Sequence, residues 1–289
     1  MLGEPANGLV FSVGMRSLGR NRLQVYDVEH PFWWGEFDFE PDESRLWRLA
    51  GLDVRITRSD SEWVIETLRS SSQHEDVQDW ELQAPSPTPL AGSSPSRYLF
   101  TRTTPRLRVL PSLADRSVVI KPVTPLYIPA GQSATLFVST PVWLQIRHDA
   151  GTVPLLDLPV IRPSDTWFGP TPAQGRLCYS TKVFGRTDLG QLPVRPFRAM
   201  TPVAISNDSP ETMQVERLCM PVPSLDIYSA TDGRLWTPGL LVDRLPGSRQ
   251  IRVRLDTRMH EAAGVVRLLS RAREHDADTL SRMFEHFLG

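Results

Sequence analysis

Between Pro154 and Tyr228 the chain never runs far without punctuation. Pro, Gly, Asn and Asp cut it into stretches of a few residues, and inside them large side chains alternate with polar ones. Leu177, Tyr179, Thr181 and Val183 alternate with Cys178, Ser180 and Lys182, and Met213 and Val215 with Gln214 and Glu216. Alternation at period two puts successive side chains on opposite faces of a strand, and stretches this short cannot support a stable helix. The segment therefore predicts antiparallel strands joined by turns, with Asn207-Asp208-Ser209-Pro210 as a strong turn.

The same pattern extends both ways. Before residue 84 it predicts strands at Leu9 to Val13, Leu23 to Val28, Trp33 to Phe39, Arg45 to Leu49, Val54 to Thr57, Trp63 to Leu68 and Val77 to Leu82. Trp63, Val64, Ile65 and Thr67 are aromatic or β-branched, which favours strand over a short helix there. From Tyr98 strands resume, and Leu155 to Ile161 reads as a more buried one. Pro196 and Pro202 predict an edge strand or a bulge. Ile251, Val253 and Leu255 oppose Arg252 and Arg254 in the last strand.

At Asp256-Thr257, a plausible N-cap pair, the period changes. Ala262, Val265, Val266 and Leu269 fall at i, i+3, i+4 and i+7, and Leu280, Met283, Phe284, Phe287 and Leu288 repeat helical spacing after a gap. The fold class read from the sequence is mainly β: an antiparallel β-sandwich, or two, with a C-terminal α-helical tail. Residues 84–97 carry Pro at 85, 87, 89 and 95 with Ser and Gly between, which makes them a linker or a long exposed loop. The expected division is an N-terminal β domain over 1–83, the linker or loop over 84–97, a main sandwich over 98–256 and amphipathic helices over 257–289.

Composition bears on partners. The formal net charge is -1, with 32 basic and 33 acidic residues largely interspersed, so no long-range field draws the chain to nucleic acid or anionic lipid. Met1 to Pro5 shows no secretory signal, and no apolar run approaches the ~20 residues of a spanning helix. The expected location is the cytoplasm, with any membrane contact made through a partner. Cys178 and Cys219 lie inside apolar strands and read as buried free thiols rather than a bridge.

No spacing with a chemical reason is present. There is no phosphate-cradling Gly loop, no dinucleotide fingerprint, no HExxH, no Cys-x-x-Cys and no nucleophile elbow. The histidines at 30, 74, 148, 260, 275 and 286 are scattered, so no metal, cofactor or catalytic residue is expected. Three weaker features remain. Asp27 to Glu43 combines acids with aromatics and has no Arg or Lys; its Trp33 and Trp34 read either as a stacking platform for a sugar or a dock for a basic partner, or as core aromatics beside solvated acids. Asp165, Thr166 and Trp167 lie in a polar and aromatic segment of the kind that lines binding sites in β proteins, or else form a turn beside a core Trp. Leu280, Met283, Phe284, Phe287 and Leu288 make an apolar face that packs on its own domain or contacts a partner.

The run Leu126-Tyr127-Ile128-Pro129-Ala130-Gly131, the Trp167-Phe168-Gly169-Pro170 turn, Gly175-Arg176-Leu177-Cys178-Tyr179 and Pro202-Val203-Ala204-Ile205-Ser206-Asn207 leading to Glu216-Arg217-Leu218 resemble the DUF432 family. The resemblance covers roughly residues 98 to 241, and the N-terminal segment resembles the divergent bacterial form. It implies no activity, substrate, cofactor or catalytic residue, and it implies company with mechanosensitive-channel-type membrane proteins. The expected function is thus a non-enzymatic cytoplasmic accessory or scaffold protein making protein contacts or self-associating. The alternatives are a carbohydrate-type ligand-binding sandwich and an enzyme whose site is assembled from distant residues.

Overall fold

In the computed structural model, residues 32–70, 79–148, 153–171, 173–183, 186–191, 193–246 and 251–274 are described. In chain order the strands begin with β1 (Gly35–Asp38), β2 (Ser44–Leu49), β3 (Leu52–Arg58), β4 (Glu62–Arg69), β5 (Trp80–Gln83), β6 (Ser96–Leu99) and β7 (Arg106–Ser112). They continue as β8 (Val118–Pro122), β9 (Leu126–Ile128), β10 (Gln132–Pro141), β11 (Trp143–His148), β12 (Leu156–Pro159), β13 (Ser164–Thr171) and β14 (Gln174–Val183). The last are β15 (Arg198–Asn207), β16 (Met213–Val215), β17 (Leu218–Met220), β18 (Ile227–Ala230), β19 (Leu235–Trp236), β20 (Gly239–Arg244), β21 (Ile251–Asp256) and β22 (Val266–Ser270).

Most of these strands lie where alternation places them, and the fold is mainly β. The expected strands at Leu9 to Val13 and Leu23 to Val28 lie outside the described residues. One sheet runs β5-β2-β3-β4-β6 and a second β1-β7-β11-β12, both antiparallel. A third runs β21-β20-β15-β19-β18-β22 with β10 also on β15, and a fourth β13-β14-β8-β17. β9 and β16 form a short antiparallel pair.

Antiparallel pairing is not universal. β14 runs parallel to β8, and β15 parallel to both β19 and β20. Of residues 84–97, the expected linker or long loop, 84–95 connect β5 to β6 within one sheet and Ser96 and Arg97 already belong to β6, and β1 is bonded along its length to β7. One apolar cluster joins Trp33, Phe39 and Trp63 to Ile146, Val203 and Val253.

Three expectations are corrected. No α-helix occurs among the described residues, and Ala262 to Leu269 instead form a single 3-10 turn, Glu261–Ala263, followed by β22. His260 Nδ1 accepts from Ala262 N at 3.1 Å to cap that turn, and Gly264 then takes φ 62°, a conformation that stops a helix and suits glycine. Val265 and Val266 are β-branched, and the strand they open pairs with β18. The rest of the expected tail, 275–289, lies outside the described residues.

Pro202 sits inside β15, a central strand. It tolerates that place because it falls at a gap between neighbours: on one side β15 pairs with β19 up to Met200 and with β20 only from Val203. A residue without an N–H therefore breaks no ladder there. Third, the Leu155 to Ile161 stretch is buried only at its end: β12 is an edge strand, partly buried at every position, whereas Val160 and Ile161 just after it are core residues.

Candidate binding groove

The β1/β7 pair separates core from groove by its pleat. Phe37, Leu107 and Val109 point into the core, whereas Glu36 stands opposite Arg108 on the other face, with Leu110 on the same side. Over that face pass β22 and the end of β18 with Thr231. A cavity of about 680 Å³ lies between, bounded by Phe32, Trp34, Gly35 and Glu36 on one flank and Val265 to Leu269 on the other. That volume falls within the ~300–1,000 Å³ of ligand clefts.

The apolar flank is built from stacked rings. The rings of Phe32 and Trp34 stack with centroids 4.7 Å apart and 7° between planes, and Trp33 meets Trp34 edge-on at 5.3 Å. Phe32 also lies close to Gly233, where a Cβ would stand 2.9 Å from its Cε1. Any side chain at 233 would push the stack away.

The charged groups are unevenly placed. Arg106 accounts for the acids of β1: it reaches Glu36 at 3.3 Å and Asp38 through two bonds of 2.8 and 2.9 Å. The Asp38 carboxyl is held below its ordinary value chiefly by that bonding to Arg106. Arg108 is opposite Arg147 of β11, whose guanidinium is pushed down by burial and then by Arg108, with Asp157 acting the other way. Asp157 in turn receives Arg273 at 2.5 and 2.8 Å and Gln145 at 3.0 Å. Arg267, exposed on β22, makes no ion pair among the described residues.

Of the residues singled out from sequence, the two neighbouring tryptophans divide. Trp33 is fully buried and donates Nε1 to Pro196 O at 3.0 Å, so it is core. Trp34 is 6% exposed and lies on the groove flank. Asp165, Thr166 and Trp167 lie on β13, an edge of a different sheet, and form no turn. Asp165 is exposed and 3.6 Å from Arg116, Thr166 is half-buried, and Trp167 is 44% exposed beside its cross-strand neighbour Leu177. Leu280, Met283, Phe284, Phe287 and Leu288 lie outside the described residues. The groove's other members, Arg108, Ser229 to Thr231 and Val265 to Leu269, were not singled out. Reading the last of these as helix concealed them.

Other reactive groups lie apart. Cys178 and Cys219 are both buried and free; their mutual hydrogen bond is the main reason the Cys178 thiol is lowered and the Cys219 thiol raised well above the usual value. His148 Nε2 meets Thr104 Oγ1 at 2.9 Å and its ring lies 4.5 Å from Phe100. Among the described residues no group of three or more His, Cys, Asp or Glu side chains is placed to hold a metal ion. No helix there is long and apolar enough to cross a membrane.

The family described as "Protein of unknown function (DUF432)" matches residues 33–288. The chain belongs to that family. No curated protein and no solved structure matches the chain. The DUF432 match runs well past residues 98 to 241 in both directions. It takes in both flanks of the groove, all but Phe32.

Proposed function

We propose that this DUF432 chain is a non-enzymatic binding protein, an accessory or scaffold, and that the groove between β1/β7 and β22 is where it takes its partner. One observation carries the reading: a cavity of about 680 Å³ with a stacked Phe32–Trp34 flank facing an arginine-bearing strand. An apolar flank with a few placed charges is how binding sites combine affinity with orientation. Cytoplasmic location, contact with a membrane only through a partner of the mechanosensitive-channel type, and the divergent bacterial form within the family belong to the same reading.

The test places a photo-crosslinking amino acid at Val265, 78% exposed on the groove rim, or at Leu99, 75% exposed on β6. In the native host, the Val265 position is expected to capture a discrete partner that the Leu99 position does not. Equal yields from both, or none from either, remove the groove from consideration.

A second reading has its own support in Trp167, whose indole is exposed on β13. There the chain acts as a ligand-binding module for a ring-stacking molecule such as a sugar. Titrating mono- and oligosaccharides against the chain's fluorescence tests it. A response that survives Trp167→Phe rules it out.

A further inference from the structure

The flank formed by β22 has an unusual composition. Val265, Val266, Arg267, Leu268 and Leu269 line the groove as five successive residues. Side chains along a strand alternate between two faces, so a wall that uses Val266 to Leu269 in turn, with Ser229 to Thr231 beside them, draws on the main chain of β22 as well as on its side chains. Among the described residues β22 is the last strand of its sheet and has a strand partner on one side only, β18, while at its end the Ser270 hydroxyl donates to Pro111 O of β7. A strand edge presents a row of N–H and C=O groups ready to pair with another extended chain.

We propose that the groove receives an extended acidic segment of a partner protein as an added strand along β22. This rests on the binding reading above and names the chemistry of the ligand. The charge pattern selects the occupant. Of the charged groups at the groove, Glu36 is engaged by Arg106, Arg108 and Arg267 are cationic, and Arg267 stands exposed without an ion pair among the described residues. A segment alternating apolar and acidic residues meets both demands, one set of side chains toward Phe32 and Trp34 and the other toward Arg267. A second copy of β22 fits poorly, because its Val-Arg-Leu-Leu-Ser brings a further arginine and no acid.

The experiment uses the full chain and end-capped hexapeptides in which valine or phenylalanine alternates with glutamate. Matched peptides carry lysine for glutamate, or N-methylated amides. The glutamate peptides are expected to bind and to slow hydrogen exchange at the outward amides of Val266 to Leu269. The lysine and N-methylated forms are expected to bind at least about tenfold more weakly. Arg267→Glu, a change on an exposed side chain, is expected to reverse the preference between glutamate and lysine.

Equal binding of the glutamate and lysine forms, or of the methylated and unmethylated forms, overturns the proposal. So do outward amides already protected before any peptide is added. Sedimentation then separates the two remaining occupants, a second copy or another segment of the same chain. If crosslinking from Val265 captures a partner while no glutamate peptide binds, the strand-addition inference falls and the binding reading stands. If both fail, both fall.

Discussion

Arg55 and Glu66 stand opposite each other on β3 and β4 and form an ion pair closed off from water, each side chain only 8% exposed. The pair also holds the proline-rich loop. Arg55 donates to Ser86 O at 2.8 Å and Pro87 O at 3.3 Å, and Glu66 accepts from Leu90 N at 3.2 Å and Ser93 Oγ at 3.3 Å. A loop with four prolines has few N–H groups with which to anchor itself, and here two charged side chains supply the bonds. Removing one partner strands the other charge in a dry site, which costs about 3–5 kcal/mol, whereas an apolar replacement of both costs far less. Urea unfolding of Glu66→Ala is therefore expected to show a loss of that size, with Arg55→Met/Glu66→Leu clearly more stable than the single variant. A Glu66→Ala loss under about 1 kcal/mol, the range of ordinary surface changes, counts against the buried pair.

Asn207 ends β15 where the expected turn begins, and its buried amide does the work of a small linker. The two hydrogens on Nδ2 are shared among Ile128 O at 2.8 Å, Pro129 O at 3.1 Å and Glu211 O at 2.8 Å, while Oδ1 accepts from Ser209 Oγ at 2.7 Å. The β9–β10 connection and the turn after β15 are thereby tied together. Asn207→Leu keeps the volume and leaves several buried groups unpaired, at about 1–3 kcal/mol each. Thermal unfolding should show Asn207→Leu losing more than Asn207→Ser, whose hydroxyl still bonds. Equal stabilities would mean that water replaces the amide without cost.

Much of the strand content was legible because alternation is a local signal: β2, β14 and β21 lie where the sequence places them. Pairing was less legible. The parallel contacts of β14 with β8 and of β15 with β20 join residues far apart in the chain, and nothing in either segment's own pattern names its partner. The Val265 to Leu269 segment fitted two periods, and its tertiary partner β18 chose between them. In the acidic aromatic stretch the pleat itself separates the tryptophans, since Trp33 shares the core parity of Phe37 and Phe39 and Trp34 that of Glu36 and Asp38. The groove was hidden because its flanks, near residues 32–36, 108–110, 229–231 and 265–269, meet only through two sheets.

The Arg106 bridge to Asp38 makes a pH prediction with a definite sign. Its bonding lowers the folded carboxyl below the ordinary value of 3.8. The stabilisation is thus fully present above that value and disappears as pH falls through the lowered folded pKa. The pair is more than half exposed, so its contribution is at most about 1 kcal/mol and is screened by salt. Asp38→Asn is expected to cost a few tenths of a kcal/mol, up to ~1, at neutral pH and low salt, and progressively less as the pH falls below 3.8. A difference from wild type that stays constant from pH 7 to pH 2 shows that the bridge is not its source.

Trp167 offers an optical check on the hairpin that holds it. Trp33, Trp47, Trp63 and Trp236 are sealed in the core at 1% exposure or less, Trp34 and Trp143 are at 6% and 4%, and Trp80 on β5 is half-buried, whereas Trp167 is 44% exposed, with Nε1 donating to Thr171 O at 3.0 Å. A polar quencher such as iodide reaches an indole only where water does. Iodide is therefore expected to remove a red-shifted minor part of the emission and leave the blue-shifted remainder, with Trp167→Phe abolishing the larger share of the quenchable part and half-buried Trp80 supplying the rest. Because Phe keeps an aromatic ring on the same strand and loses chiefly the Nε1 bond to Thr171 O, the substitution should cost about 1 kcal/mol or less. Loss of the blue-shifted, unquenched emission in Trp167→Phe instead would place Trp167 in the core and displace β13 from its edge.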